Sequence, residues 1–258
     1  MLDWLFGRRR HFGLDVASIS ERGLVRRDNQ DHFFIDPRGA LFCVADGMGG
    51  GQGGAKASEI VCSCLKAAAV GSKSFPDLMK RGADAIAEAN SQIRKYAAER
   101  RWQQMGSTVA AVFLDVEKGS IGVICHVGDS RIYRVRGGAI ELLTHDHTIA
   151  GEIGRRASLR LSDELARRMG RLSHVLTRAV GIEDTVIPDW RKIEVRQGDV
   201  YMVCSDGIYD MLDKDFMRDA LSKSTTSAEA AEAISRAVMD AGAHDNFTSI
   251  IMKIGRAE

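Results

Sequence analysis

The 258-residue chain carries 36 Lys and Arg against 35 Asp and Glu, a formal net charge of +1. A balance this even sets up no field to draw the chain to nucleic acid or to an anionic bilayer, so neither partner is expected. No apolar run approaches the ~20 residues that span a membrane. The start MLDWLFGRRRH puts its charges after a short apolar patch, the reverse of a secretory leader, so a cytoplasmic protein is expected. The five cysteines agree, since an odd number without regular spacing predicts buried thiols and no disulfide framework.

In chain order, residues 11–20 and 31–45 alternate or run apolar around the turn Asp36-Pro37-Arg38-Gly39 and predict a first set of strands. Residues 54–70 are Ala-rich with helical spacing, which places Cys62 and Cys64 on different helix faces and argues against a metal-binding pair. After Ser74 and Pro76, residues 77–100 predict a longer amphipathic helix. Strand signals dominate 106–116, 120–138 and 139–144, with Gly-rich turns between them. Residues 145–180 are polar, Arg-rich and mixed. Strands are predicted over 185–195 and 199–207, helices over 213–222 and 227–241, and a closing strand over 245–254. Only three prolines and no low-complexity tract interrupt this order, so an N-terminal extension (1–10) and one domain (11–258) are expected. Helices gathered in pairs between blocks of antiparallel-looking strands predict an α+β fold, a four-layer α-β-β-α sandwich of two antiparallel sheets flanked by helix pairs.

The informative feature is a recurrence of acids at strand ends. LFCVADG (41–47) and YMVCSDG (201–207) share one design: an apolar strand, a small residue, then Asp-Gly. IGVICHVGD (121–129) also ends in an Asp, and Asp245-Asn246 opens the last strand. A single strand-end Asp is ordinarily a turn or cap residue. Four at equivalent ends repel one another unless a cation neutralises them, and an all-oxygen donor set selects Mg²⁺ or Mn²⁺. A paired site of this kind suits in-line phosphoryl displacement. It also needs a cationic phosphate anchor, and GLVRRDNQD (23–31) offers Arg26 or Arg27 with Asp31 close behind.

Eight blocks occur in order: GLVRRDNQD, FCVADGMGG, GSTVAAVF, HVGDSRIYRVRGG, LTHDH, LTRAVG, VCSDGIYDML and DNFTSIIM. Together, across roughly residues 12–254, they resemble the metal-dependent protein phosphatases of the phosphatase 2C type, and most of all the compact bacterial members. The resemblance implies a phosphoserine/phosphothreonine phosphatase in which a metal-bound hydroxide attacks phosphorus directly. It implies Mn²⁺ or Mg²⁺, two ions in the core site and a third as in many bacterial members. Asp46 would bridge two metals, with the carbonyl of Gly47 on one. Asp206 and Asp245 would complete the first, and Asp31 would hold water at the second. Asp129, with Asp206 and Asp210, would serve the third. Arg26 matches the phosphate-binding arginine, and Asn246 and Thr248 match orienting residues. The implied partners are phosphorylated proteins, with a cognate Ser/Thr kinase to oppose, and a monomer is expected.

Three departures from the family pattern stand out. Gln30 replaces a common Glu, and its neutral amide is expected to orient a water at a weakened second site. Met48 stands where eukaryotic relatives often carry a histidine, which leaves the proton donor unassigned. GGGQGGAKAS (49–58) lacks the His and Glu often seen at that turn.

Other signals compete. His145-Asp146 and His244-Asp245 resemble the pairs of helical metal phosphohydrolases, but here they flank strand-like runs; hydrogen bonding within the structure is expected of His145 and His147. Arg155, Arg156, Arg160, Arg167, Arg168 and Arg171 fall in the family's flap region, about 145–180. They form either a solvated helical face or a basic rim for acidic phosphorylated segments. The alternative to an enzyme is a catalytically inactive phosphoprotein-binding module on the same fold. A nucleotide phosphate loop ranks behind both, since no Gly-Lys-Ser/Thr follows the glycines.

Overall fold

The computed structural model describes residues 13–49, 52–102, 104–115, 118–156, 170 and 174–255. The proposed extension (1–10) and Arg160, Arg167, Arg168 and Arg171 lie outside the described residues.

The chain opens with β1 (Gly13–Glu21), β2 (Asp31–Ile35) and β3 (Leu41–Met48), followed by α1 (Gln52–Val70) and α2 (Phe75–Arg100). Next come β4 (Gly106–Ser107), β5 (Val109–Leu114), β6 (Ile121–Val127), β7 (Arg131–Arg136), β8 (Ala139–Leu142) and the helix α3 (Ile149–Arg156). The last third holds β9 (Asp189–Glu194), β10 (Val200–Cys204), the short α4 (Asp206–Tyr209), α5 (Lys214–Lys223), α6 (Ser227–Asp240) and β11 (Phe247–Gly255). One sheet has the order β1-β11-β10-β7-β8 and the other β2-β3-β5-β6-β9, with β4 pairing β3. Every strand pairing is antiparallel.

The period-2 side-chain alternation of these strands sorts the apolar residues into three cores. Phe42 and Val44 of β3, Val112 of β5, Val203 of β10 and Ile250 of β11 meet between the sheets. From the same strands Leu41, Cys43, Ala111 and Phe113 face α1 and α2. Met202, Cys204, Phe247 and Ile251 face α4, α5 and α6. Central strands buried on both faces explain why their sequence runs apolar rather than alternating. Burial of each such large side chain stabilises the fold by about 1.5–3 kcal/mol. The α-β-β-α layering expected from the sequence is what these cores build.

Local chemistry sets the helix limits. Asp213 caps α5 by accepting from the Phe216 N–H at 2.8 Å, and Thr226 with Glu229 forms a reciprocal capping box at α6. Two elements differ from the sequence reading. The strand expected to run to 207 stops at Cys204, because Ser205 takes an extended cap conformation and Asp206 starts α4. Within the mixed segment, α3 forms although it contains Gly151 and Gly154, its first turn held by the Thr148 hydroxyl accepting from Gly151 N–H at 3.1 Å.

The end of β3 crosses the first turn of α1 with backbone on backbone. A Cβ at Gly47 would lie 1.9 Å from the Gly54 carbonyl oxygen, and one at Gly54 would lie 2.5 Å from the Gly47 oxygen. Neither atom is a flexible side-chain end, so neither can yield cheaply. Gly47→Ala is expected to cost about 3 kcal/mol, the upper end for overpacking, in chemical denaturation. A two-state midpoint unchanged from wild type would contradict that close crossing.

Candidate metal centre

Strand register brings the acids together. In the β2–β3 pair Asp31 lies directly opposite Asp46. In the other sheet Cys204 at the end of β10 pairs with Ser249 on one side and Arg131 on the other. Ser205-Asp206 therefore emerges between Asp245-Asn246, which precede β11, and Asp129, which precedes β7. Ser205 joins the two sheets at this edge: its hydroxyl donates to Asp31 Oδ2 at 2.7 Å and accepts from the Thr248 N–H at 3.0 Å. The main chain at Asp46 is fixed as well, its N–H donating to Thr108 Oγ1 at 2.9 Å and its carbonyl accepting from Thr108 N–H at 2.8 Å. Thr108 in turn shares a 2.6 Å hydroxyl contact with Ser130.

The electrostatics are those of an unneutralised cluster. Burial, then repulsion from Asp31, Asp206, Asp129 and Asp245, pushes the Asp46 carboxyl well above the usual range. Asp206 is raised in the same way, by burial and then by Asp129, Asp210, Asp245 and Asp31. Burial lifts Asp31 to about 6 against the pull of Ser205, and lifts Asp129 to about 7 with Asp146 adding to it and Arg131 opposing. Two oxygens, Asp31 Oδ1 and Asp206 Oδ1, are buried without a hydrogen-bond partner. A buried acceptor left unsatisfied costs about 1–3 kcal/mol, more when charged. A hard divalent cation would satisfy these oxygens and reverse the repulsion, so the donor set fits Mg²⁺ or Mn²⁺.

The arginine loop sits on the rim of this cluster. Arg26 Nη2 donates to Asp245 Oδ2 at 2.5 Å with its side chain about half exposed. Asn246 uses its whole amide on that loop: Nδ2 donates to the carbonyls of Arg22 (2.8 Å) and Asp28 (2.9 Å), and Oδ1 accepts from Gln30 N–H at 2.9 Å. The Gln30 side chain packs against Gly54, and its carbonyl accepts from Gly47 N–H at 3.1 Å.

On the outer side Asp210 has its carboxylate 3.6 Å from His174 Nδ1; its side chain is about a third exposed, and partial desolvation, with Asp146 and Asp245 adding to it, raises its pKa despite His174 and Arg131. Asp206, Asp210 and His174 offer ligand atoms within 4.8 Å of one another. Arg131 pairs with Asp146 through its Nη2 at 2.7 Å and its Nε at 3.0 Å, and lies 3.7 Å from the centre of the Tyr209 ring. Tyr209 donates to the carbonyl of Asp129 at 2.9 Å. Ser205, Thr108 and His174 were missed by sequence reasoning; for Ser205 the signal was its place between the two sheets' acids in VCSDG, and for His174 no local pattern existed.

A second cluster, His126, His147 and Asp189, also brings ligand atoms together. His147 Nδ1 accepts from Gly128 N–H at 3.1 Å, so the neutral ring carries its proton on Nε2, towards Asp189 Oδ2 at 3.4 Å. That tautomer has no lone pair for a metal. Burial, with His126 and Arg178 adding to it, lowers His147 to about 4. With His145 Nε2 lying 2.9 Å from the Gly151 carbonyl, these histidines hold the segment around α3 by hydrogen bonds.

The comparisons define the class. The family model described as Protein phosphatase 2C matches residues 17–241, and the chain belongs to that family. It is 24% identical over 250 residues to protein phosphatase PhpP of Streptococcus pneumoniae, covering 95% of this chain and 99% of that one. It is 31% identical over 242 residues to the serine/threonine protein phosphatase PstP of Mycobacterium tuberculosis, covering 93% of this chain and 45% of that longer protein. Among solved structures, PppA of Pseudomonas aeruginosa superposes with a TM-score of 0.81 at 28% identity, covering 93% and 97% of the two chains. The catalytic domain of PstP in complex with two manganese ions superposes at 0.78 with 26% identity, covering 95% and 99%.

The raised carboxyls have a consequence for stability. Above the ordinary value of 3.8, Asp31 and Asp129 keep protons in the fold that the unfolded chain has released, up to about 6 and 7. Folding then takes up protons, and their contribution to stability falls as pH rises through that window. Metal binding must expel those protons, so it grows more favourable as pH rises. The rise in Tm caused by a fixed Mn²⁺ concentration is therefore expected to increase from pH 5 to pH 7.5. The buried histidines titrate in both metal-loaded and metal-free samples and cancel in this difference. A pH-independent rise would contradict the reading.

Proposed function

We propose that this chain hydrolyses phosphoserine and phosphothreonine in proteins with the help of Mn²⁺ or Mg²⁺. The observation that carries this reading is the meeting of Asp31, Asp46 and Asp206, where one oxygen of Asp31 and one of Asp206 are buried without a hydrogen-bond partner. Asp46, the Gly47 carbonyl, Asp206 and Asp245 would hold one cation, and Asp46 with Asp31 the other. Asp129, Asp206 and Asp210 would serve a third. Bound there, divalent cations supply water activation and charge neutralisation for in-line displacement at phosphorus.

The chain's own part is positioning. Ser205 fixes the Asp31 carboxylate, and Thr108 fixes the Asp46 backbone. Arg26 stands at the rim, where its planar fork suits two phosphate oxygens at once. Asn246 keeps the loop that carries it in place. Gln30 orients water near Asp31, and its neutral amide makes this side of the centre the weaker binder. The family's bacterial relatives named above are protein phosphatases, which supports phosphorylated proteins as the substrate class and a cognate Ser/Thr kinase as the activity opposed. A monomeric, cytoplasmic enzyme of one catalytic domain fits this reading, and among the described residues no helix is long and apolar enough to cross a membrane.

The test is hydrolysis of a phosphothreonine peptide. Activity is expected with Mn²⁺ and abolished by chelator. Asp206→Asn is expected to lower kcat/KM by at least about a hundredfold, the upper end for groups that merely support a metal ligand. Activity that survives chelation would overturn the mechanism; phosphopeptide binding without turnover would favour the inactive module. Arg26→Ala is expected to raise KM for the peptide more than it lowers kcat, and the reverse split would place Arg26 in the transition state.

A further inference from the structure

The turn before Arg26 presents two adjacent apolar side chains to solvent. Leu24 and Val25 are 60% and 64% exposed, although the turn that carries them is anchored on both sides. Gly23 has φ +74°, and a Cβ there would fall 2.3 Å from the Asp245 carbonyl oxygen and 2.6 Å from that of Ala243. Leu24 N–H donates to the Ala243 carbonyl at 2.9 Å. Asn246 ties down Arg22 and Asp28 on either side. A loop pinned at both ends and against the neighbouring segment holds its two apolar side chains in water without the freedom to fold them away.

We propose that Leu24 and Val25 form a rigid apolar lip that selects phosphoprotein segments bearing an aliphatic residue next to the phosphorylated one. This rests on the phosphatase reading above and names a substrate class within it. Val25 is the chain neighbour of Arg26, and consecutive Cα atoms lie about 3.8 Å apart. A substrate strand whose phosphate rests on Arg26 is thereby brought to the anchored turn that carries the lip, and the proposal assigns the residues flanking the phosphorylated one as the lip's contacts. Neither lip side chain has a hydrogen-bonding group, so a charged or amide neighbour would lose water there without replacement, whereas an aliphatic one would gain apolar burial. Because the loop is already ordered, that burial is not spent on fixing the protein. The lip acts on binding of the flanking residue and touches no reacting atom.

The experiment uses phosphothreonine peptides that are identical except at the positions within two residues of the phosphothreonine. Each position carries Leu, Ser, Lys or Asp in turn, and a small aryl phosphate serves as the substrate without flanks. For the wild-type enzyme with Mn²⁺, Leu is expected to exceed Ser by about tenfold in kcat/KM at one or more positions, through KM. In the Leu24→Ser/Val25→Ser variant that ratio is expected to fall to about twofold or less, with aryl phosphate hydrolysis unchanged and Leu24→Met retaining the preference. A wild-type ratio near one at every position overturns the lip, as does a ratio that survives in the double variant. The same peptides are measured by fluorescence anisotropy on Asp206→Asn, alone and with the two lip substitutions added. A Leu preference in binding that the lip substitutions remove, with no turnover by the wild type, would keep the lip and sink the phosphatase reading. Turnover without any Leu preference would do the opposite.

Discussion

The rest of the structure is organised around the mutual repulsion of buried carboxylates. Asp31 and Asp129 are buried and Asp46 and Asp206 half-buried, and Asp31, Asp129 and Asp206 each raise the cost of ionising another member of the cluster. No single strand could hold such a group, since neighbours along a strand point to opposite faces. Two sheets ending at one edge can, because each acid then arrives from a different strand with its own ladder of hydrogen bonds behind it. The three apolar cores supply the energy that holds the sheets in that register, and the site draws on it.

The register is protected where it is most exposed to slippage. Ser205 spans the sheets, contacting Asp31 of one and Thr248 of the other. The contact of Gly47 with Gly54 sets how closely α1 approaches the end of β3, and a Cβ at Gly49 (φ +131°) would lie 2.2 Å from the Gln104 carbonyl oxygen, so the described glycines in ADGMGGGQGG are a packing requirement at Gly47, Gly49 and Gly54. A loop of this composition after a strand suggests a phosphate cradle, yet here an acid occupies its mouth and the proposed phosphate anchor, Arg26, comes from a different loop.

The fold was legible because central strands buried on both faces leave long apolar runs, and because Asp213 and Thr226 are local cap signals. The acids at strand ends were legible through repetition: VADG and CSDG share a design that chance seldom repeats. What stayed hidden depends on contacts between distant segments. Nothing near residue 174 in sequence reveals that its imidazole stands beside Asp210, 36 positions on. The extent of α3 was hidden for another reason, since its glycines weaken helix propensity and the Thr148 cap compensates only in place. Gln30 was read for its side chain, whereas its backbone also works here, accepting from Gly47 and donating to Asn246.

The acids of the cluster are not equivalent, and the difference follows from what else each one touches. Asp245 spends both oxygens, one on Arg26 and the other on the Asn246 N–H at 2.7 Å. Asp31 spends one on Ser205 and keeps one, and Asp206 keeps one. The negative charge least compensated by protein groups therefore lies deep between the sheets, at Asp31 and Asp206, while the rim is already balanced by an arginine. On the proposed function a cation would be drawn inward past the rim, and Arg26, paired with Asp245 there, is the guanidinium placed to meet a phosphate. Asn246 ties these two halves together: its backbone N–H holds the rim acid, and its side chain holds the loop of the arginine that pairs with it.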